Sequence, residues 1–192
     1  MSGGPAPERT LRSGFVLVGG RSSRMGRDKA TLPLNGGTLA GSIAKRVAES
    51  ASNVTLIGPP ERYGNLGYRA IPDLIPNAGP LGAVYTALQD STADWNLIVA
   101  CDMPDVTVAL FEDLFAVAER SGADCVAPGR ADSLHPLCAV YHRRCAPKAA
   151  DAIRRNSLKM HDFVSNLQTM IWPLKNWAPL SNINTIEEWS AR

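Results

Sequence analysis

Short apolar runs alternate along this chain with longer stretches of helical period. Gly14 to Val18 is an apolar run stopped by Gly19-Gly20, the pattern of a buried first strand. From Thr38 to Ala51, Leu39, Ile43 and Val47 recur every four residues beside Ala40, Ala44 and Ala48. That spacing predicts one face of a helix, with Thr38 as its N-cap. Asn53 to Ile57 reads as the next strand, closed by Gly58-Pro59-Pro60, so strand, helix and strand form a parallel crossover. Further strands are predicted over Tyr68 to Ile71, Trp95 to Cys101, Ala123 to Ala127, Pro136 to Tyr141 and Thr169 to Trp172. Helices are predicted from Pro80 (apolar face Leu81, Val84, Tyr85, Leu88), over Thr107 to Ser121, Cys145 to Arg155 and Met160 to Asn166. Thr185-Ile186-Glu187-Glu188 carries a capping box, which predicts a short closing helix. Alternating strands and helices imply an α/β sandwich with a mainly parallel sheet. Ligands of such sheets lie beyond the carboxyl ends of the strands, here after Val18, after Ile71 and after Cys101.

Composition narrows the class of protein. With 192 residues, 45% hydrophobic and 20% charged, the chain is long enough for one cored domain. Residues 1–13, rich in Pro, Gly and Arg, are expected to form a flexible tail, and 14–192 a single domain. A formal charge of +2 is too small to point to a nucleic-acid partner, so cationic chemistry must be local. No apolar run approaches the roughly 20 residues of a membrane span. Cys101, Cys125, Cys138 and Cys145 form no CxxC pair, and no secretory signal is visible. They are expected to be reduced, mostly buried thiols of a cytoplasmic protein. His135, His142 and His161 lack the spacing of a zinc site.

Candidate chemistry gathers at the three strand ends. Gly19-Gly20-Arg21-Ser22-Ser23-Arg24-Met25-Gly26-Arg27-Asp28-Lys29 combines three glycines, whose backbone admits close anion approach, with four cations. A triphosphate is the complement to that charge, and the alternative is a solvated surface loop. The run matches neither GxxxxGK[ST] nor GxGxxG, so a P-loop and a dinucleotide fingerprint are both excluded. Asp102, ahead of Met103-Pro104, either caps a turn or holds a hard divalent cation such as magnesium, which takes few protein ligands. Asp73 sits in a Pro/Gly-rich loop before a helix start flanked by Gly79 and Gly82, suited to close ligand approach. In an extended segment Asn182 and Asn184 would point the same way toward polar ligand groups, or else serve only loop and cap chemistry.

The motifs LVGGRSSRMGRDK, IPD…GPLG, CDMP, HPLCAVY and NINTIEEW resemble, in this order and from Gly14 onward, the molybdenum cofactor guanylyltransferase family of nucleotidyltransferases. The resemblance implies a three-layer, Rossmann-like α/β sandwich. It also implies transfer of GMP from Mg-GTP to molybdopterin with release of pyrophosphate. Carried over by position, it assigns Leu17, Val18, Gly19 and Gly20 to the guanine nucleotide, and Lys29 and Asp73 to nucleotide contacts. Asp102 becomes the Mg2+ ligand, and Asn182 and Asn184 the molybdopterin-binding pair. Arg24, Lys29 and Asp102 are the expected catalytic groups. Apo-molybdoenzymes or cofactor-delivery proteins are the implied protein partners. Val18 stands where the family has alanine, which adds bulk where the base is expected to pack. Two alternatives share these motifs: a relative using CTP or another acceptor phosphate, and a non-catalytic GTP-binding cofactor carrier.

Overall fold

The computed structural model describes residues 11–19, 28–34, 36–130, 133–174, 178–183 and 188–189. Gly20, Arg24, Asn184, the Thr185 capping box and most of the proposed tail lie outside the described residues. Strand β1 (Arg12–Leu17) opens the fold, starting ahead of the apolar run. A two-residue-per-strand hairpin, β2 (Pro33–Leu34) and β3 (Gly37–Thr38), precedes helix α1 (Leu39–Ser50). Thr38 caps α1 as its position predicts, its hydroxyl accepting from Gly41 N–H at 3.1 Å. Strand β4 (Val54–Ile57), the single turn α2 (Pro60–Tyr63), strand β5 (Arg69–Ile71) and helix α3 (Gly79–Asp90) follow. Next come β6 (Trp95–Ala100) and α4 (Val108–Ser121), which Thr107 caps through Leu110 N–H at 3.2 Å. The remaining elements are β7 (Cys125–Arg130), β8 (Ser133–Leu134), β9 (Cys138–His142), α5 (Ala146–Arg154), α6 (Met160–Ser165) and β10 (Thr169–Pro173).

These strands make one sheet in the order β10-β7-β9-β6-β1-β4-β5, with β8 paired to β7. The run β6-β1-β4-β5 is parallel throughout, and β10 is parallel to β7. Strand β9 is antiparallel to both neighbours, β6 and β7. The link from β7 to β9 carries no helix, only the β8 excursion, and so cannot make a parallel crossover. Side chains alternate across the sheet. Val16, Leu97 and Val99 pack under α1 and α4, whereas Phe15 and Ile98 pack under α3, α5 and α6. The architecture is therefore a three-layer α/β sandwich with a mostly parallel mixed sheet. All four cysteines are free and buried within it. No helix among the described residues is long and apolar enough to cross a membrane.

Register positions the functional edge. Leu17 lies opposite Ile57 on one side and Ala100 on the other, and Ile57 lies opposite Ile71. Four strands thus end on one line. Strand order reverses at β1, with β4 and β5 to one side and β6 to the other, so the crevice beyond Leu17 is the switch point of the sheet.

Candidate active site

The first wall of this crevice is bare backbone. Val18 and Gly19 N–H groups both point at the Ile57 carbonyl (3.0 and 3.3 Å), and the Leu17 carbonyl accepts from Cys101 N–H at 3.1 Å. Neighbouring strand ends therefore hold Leu17 to Gly19 in place. The Val18 side chain does not face the cleft as expected. It is 2% exposed and belongs to the core under α1. A Cβ on Gly58 would come within 2.8 Å of Val18 Cγ2 and 3.0 Å of the Tyr63 ring, so glycine at 58 is what admits the valine. The extra bulk of Val18 is absorbed by the core and not by a ligand.

Beyond the glycine-rich loop, Asp28 caps a single 3-10 turn, Lys29–Thr31. One carboxylate oxygen accepts from Ala30 N–H at 3.1 Å and the other from the Tyr63 hydroxyl at 2.7 Å, with Arg62 at 3.6 Å. In the sequence Asp28 is the one carboxylate among the loop's four cations. In the fold it is an anchor for the lysine that follows. Lys29 Nζ donates to the Ile183 carbonyl at 2.7 Å, and Ile183 N–H donates to the Asp102 carbonyl at 2.8 Å.

Asp102 follows β6, and Met103 and Pro104 behind it are buried. Arg46 from α1 grips this turn, donating to the Pro104 carbonyl at 2.7 Å. The Oδ1 atom of Asp102 is buried and has no hydrogen-bond partner. Burial pushes the carboxyl above the usual carboxylate range, and the nearby Lys29 charge draws it partly back. A second carboxylate, Asp73, stands after β5 with its own Oδ1 buried and unpartnered. Burial raises its pKa as well. Its loop is tied to α3 by Thr86, whose buried hydroxyl accepts from Leu74 N–H at 3.0 Å and donates to the Gly82 carbonyl at 2.8 Å. Of the two glycines flanking Pro80-Leu81, Gly79 lines the cleft. Gly82 instead makes room for Ala78, whose Cβ would lie 2.8 Å from an added Cβ.

Leu17, Val18, Gly19, Lys29, Asp73 and Asp102 line one cleft of about 600 Å3, with Ile75, Pro80, Ala83 and Leu137 adding an apolar side. Leu17 and Val18 line it beside Gly19, and the Val18 side chain is turned to the core as described above. Asn182 is exposed next to Ile183 and is not among the lining residues. A wider open depression of about 970 Å3 borders α1 but holds none of Lys29, Asp73 and Asp102. Tyr63, Thr86, Arg46 and Ile183 were not singled out in the sequence. Ile183 acts by main chain and Tyr63 from a single turn, so neither leaves a periodic signal.

A switch-point cleft that combines bare backbone, a lysine and two carboxylates, each with one buried and unpartnered oxygen, is of the kind in which α/β proteins hold nucleotides. The MobA-like NTP transferase domain matches residues 14–169, and the chain belongs to this family of nucleotidyltransferases. A probable molybdenum cofactor guanylyltransferase of Flavobacterium johnsoniae is 32% identical over 177 residues, covering 91% of this chain and 92% of that one. One of the same description from Pelotomaculum thermopropionicum is 34% identical over 152 residues, 79% of this chain and 73% of that one. In fold, the chain is similar to the molybdopterin-guanine dinucleotide biosynthesis protein A of Archaeoglobus fulgidus. The TM-score is 0.80 at 24% identity, over 93% of this chain and 95% of that one.

Proposed function

We propose that the enzyme transfers GMP from GTP to molybdopterin, releasing pyrophosphate and forming the guanine dinucleotide cofactor. The observation that carries this reading is the arrangement at the cleft mouth: one residue, Ile183, bonds both the Lys29 ammonium and the Asp102 main chain. A cation and a carboxylate with one unpartnered oxygen, so joined, suit a nucleotide's phosphates and the metal that accompanies them. The names of the two relatives supply the substrates.

In this reading the main chain of Leu17, Val18, Gly19 and Gly20 receives the guanine nucleotide, and Asp73 accepts hydrogen bonds from it. Lys29 and Arg24 hold the phosphates. Asn182 and Asn184 hold molybdopterin. A phosphate oxygen of the acceptor attacks the α-phosphorus of GTP. One phosphorus–oxygen bond forms as the bond to the bridging oxygen breaks, and pyrophosphate leaves with the electron pair. The attacking phosphate is already ionised, so no general base is needed. Lys29, with three N–H donors on one ammonium, offsets the charge that grows on the leaving group.

Asp102 fits a divalent cation because its buried Oδ1 lacks any protein donor, the state of a carboxylate oxygen kept for a ligand. Mg2+ takes one or two carboxylates and otherwise phosphate and water, so a single aspartate beside a triphosphate suits it. When bound, Mg2+ would neutralise triphosphate charge.

The test is label transfer from α-labelled GTP or CTP onto molybdopterin, with and without Mg2+. Transfer from GTP that requires Mg2+ is expected. Preferential transfer from CTP would change the nucleotide, and GTP binding without pyrophosphate release would make the protein a carrier.

A further inference from the structure

The contact between Lys29 and Asp102 runs through the main chain of Ile183. That residue is firmly seated. Ile183 and Leu180 are each 2% exposed, and Leu180 joins the core under α1 and α4. Ser181 N–H closes a turn on the Ala178 carbonyl at 3.2 Å. A lysine head on a long flexible stem samples many rotamers, and holding it in one costs entropy. A fixed carbonyl acceptor at 2.7 Å supplies that restraint. The same residue's N–H, at 2.8 Å from the Asp102 carbonyl, restrains the turn that carries the carboxylate. Ile183 is buried and is not among the residues lining the cleft, and the contacts it makes to Lys29 and Asp102 are made by its peptide groups.

We propose that Ile183 is a positioning residue whose main chain sets Lys29 in register with Asp102. The segment from Ala178 to Ile183 is then a working part of the active site and not a covering over it. This rests on the roles given to Lys29 and Asp102 above. Misplacing a charged group by a fraction of its bond length weakens transition-state contacts more than ground-state binding when the cation acts on the leaving group. The effect therefore falls on kcat.

The test replaces Ile183 with its α-hydroxy acid counterpart, which exchanges the N–H for an ester oxygen that cannot donate, and uses Ile183→Pro as a genetic variant that also lacks the N–H. Ile183→Val, which preserves the main chain, is the conservative rescue. Both N–H deletions are expected to lower kcat roughly 10- to 100-fold. KM for GTP should stay within about threefold, and Ile183→Val should restore turnover. A kcat equal to the parent's in the α-hydroxy acid protein overturns the proposal, as does a loss that merely follows the unfolded fraction. A second arm needs no substrate: amide exchange at Ile183 should speed up about tenfold or more in Lys29→Ala, because the carbonyl loses a charged donor. Unchanged exchange overturns the restraint whatever the enzyme transfers. Should the parent release no pyrophosphate from any nucleotide, the transferase reading fails, and the exchange arm still judges the restraint alone.

Discussion

A carboxylate oxygen buried without a partner is held against its own solvation, and Oδ1 of Asp102 is such an atom. Burial raises its folded pKa, with Lys29 opposing. For a raised carboxyl the favourable proton is lost as pH rises through the folded value, so at neutral pH the charge costs stability. Asp102→Asn should therefore raise the Tm of the ligand-free protein at pH 7 while lowering turnover on the order of 10²–10³-fold. Thermal melts beside pyrophosphate release check both, and a lower Tm with full activity would remove Asp102 from the site. Lys29→Ala should weaken GTP binding as well as slow the reaction, and calorimetry that finds the parent affinity would count against the lysine. At this scale the sequence was legible where chemistry requires a charged residue type after a strand: Lys29, Asp73 and Asp102 line the cleft they were expected to line. It misled at Val18. That residue shares its parity with Val16, so the two-residue period of β1 already directed it toward the core.

Elements position these groups by contacts that leave little trace in local pattern. Thr86 on α3 holds the Asp73 loop through Leu74 N–H. Thr86→Val keeps the shape but loses the acceptor, and should cost about 1 kcal/mol of stability. It should also raise KM for GTP severalfold with little change in kcat, because Asp73 is freed from its loop geometry while Lys29 and Asp102 are untouched. Denaturant titration and steady-state kinetics test the two halves. The helix cap at Thr38 was readable because cap chemistry is local to one turn. The β2–β3 hairpin and α2 were not, since elements this short carry no measurable period. Yet α2 supplies Tyr63, whose hydroxyl bonds Asp28 next to Lys29.

Across the molecule, the sheet is stapled far from the cleft by Asp124. This buried carboxylate takes hydrogen bonds from Arg144 Nε (2.6 Å), Lys148 Nζ (2.9 Å) and Gln168 N–H (3.1 Å), and joins the start of β7 to α5 and β10. Burial alone would raise its pKa, but these donors outweigh it and hold the carboxyl well below the usual range. A depressed carboxyl contributes stability above its unfolded pKa of about 4 and loses it as pH falls toward the folded value. Asp124→Asn should thus lower Tm at pH 7 and flatten the fall in Tm between about pH 4 and pH 2, since the titrating group is gone. Melting curves across that range decide it. Arg12 makes the same point at the other end of the chain. The sequence puts it in a tail, but β1 begins with it, and its guanidinium pairs with Glu119 and Glu112 on α4 at 2.7 Å each.

Sequence alone determined the alternation of strands and helices, the mainly parallel sheet, and the charged residues at three strand ends. Those follow from periodicity and residue chemistry within a few neighbours. Only the tertiary structure decided that β9 runs antiparallel, that Tyr63 reaches Asp28, and that Ile183 ties Lys29 to Asp102. Each of those depends on residues distant in the chain approaching to hydrogen-bond or van der Waals range, and main-chain donors and acceptors are the same at every residue, so no local pattern encodes which of them will meet.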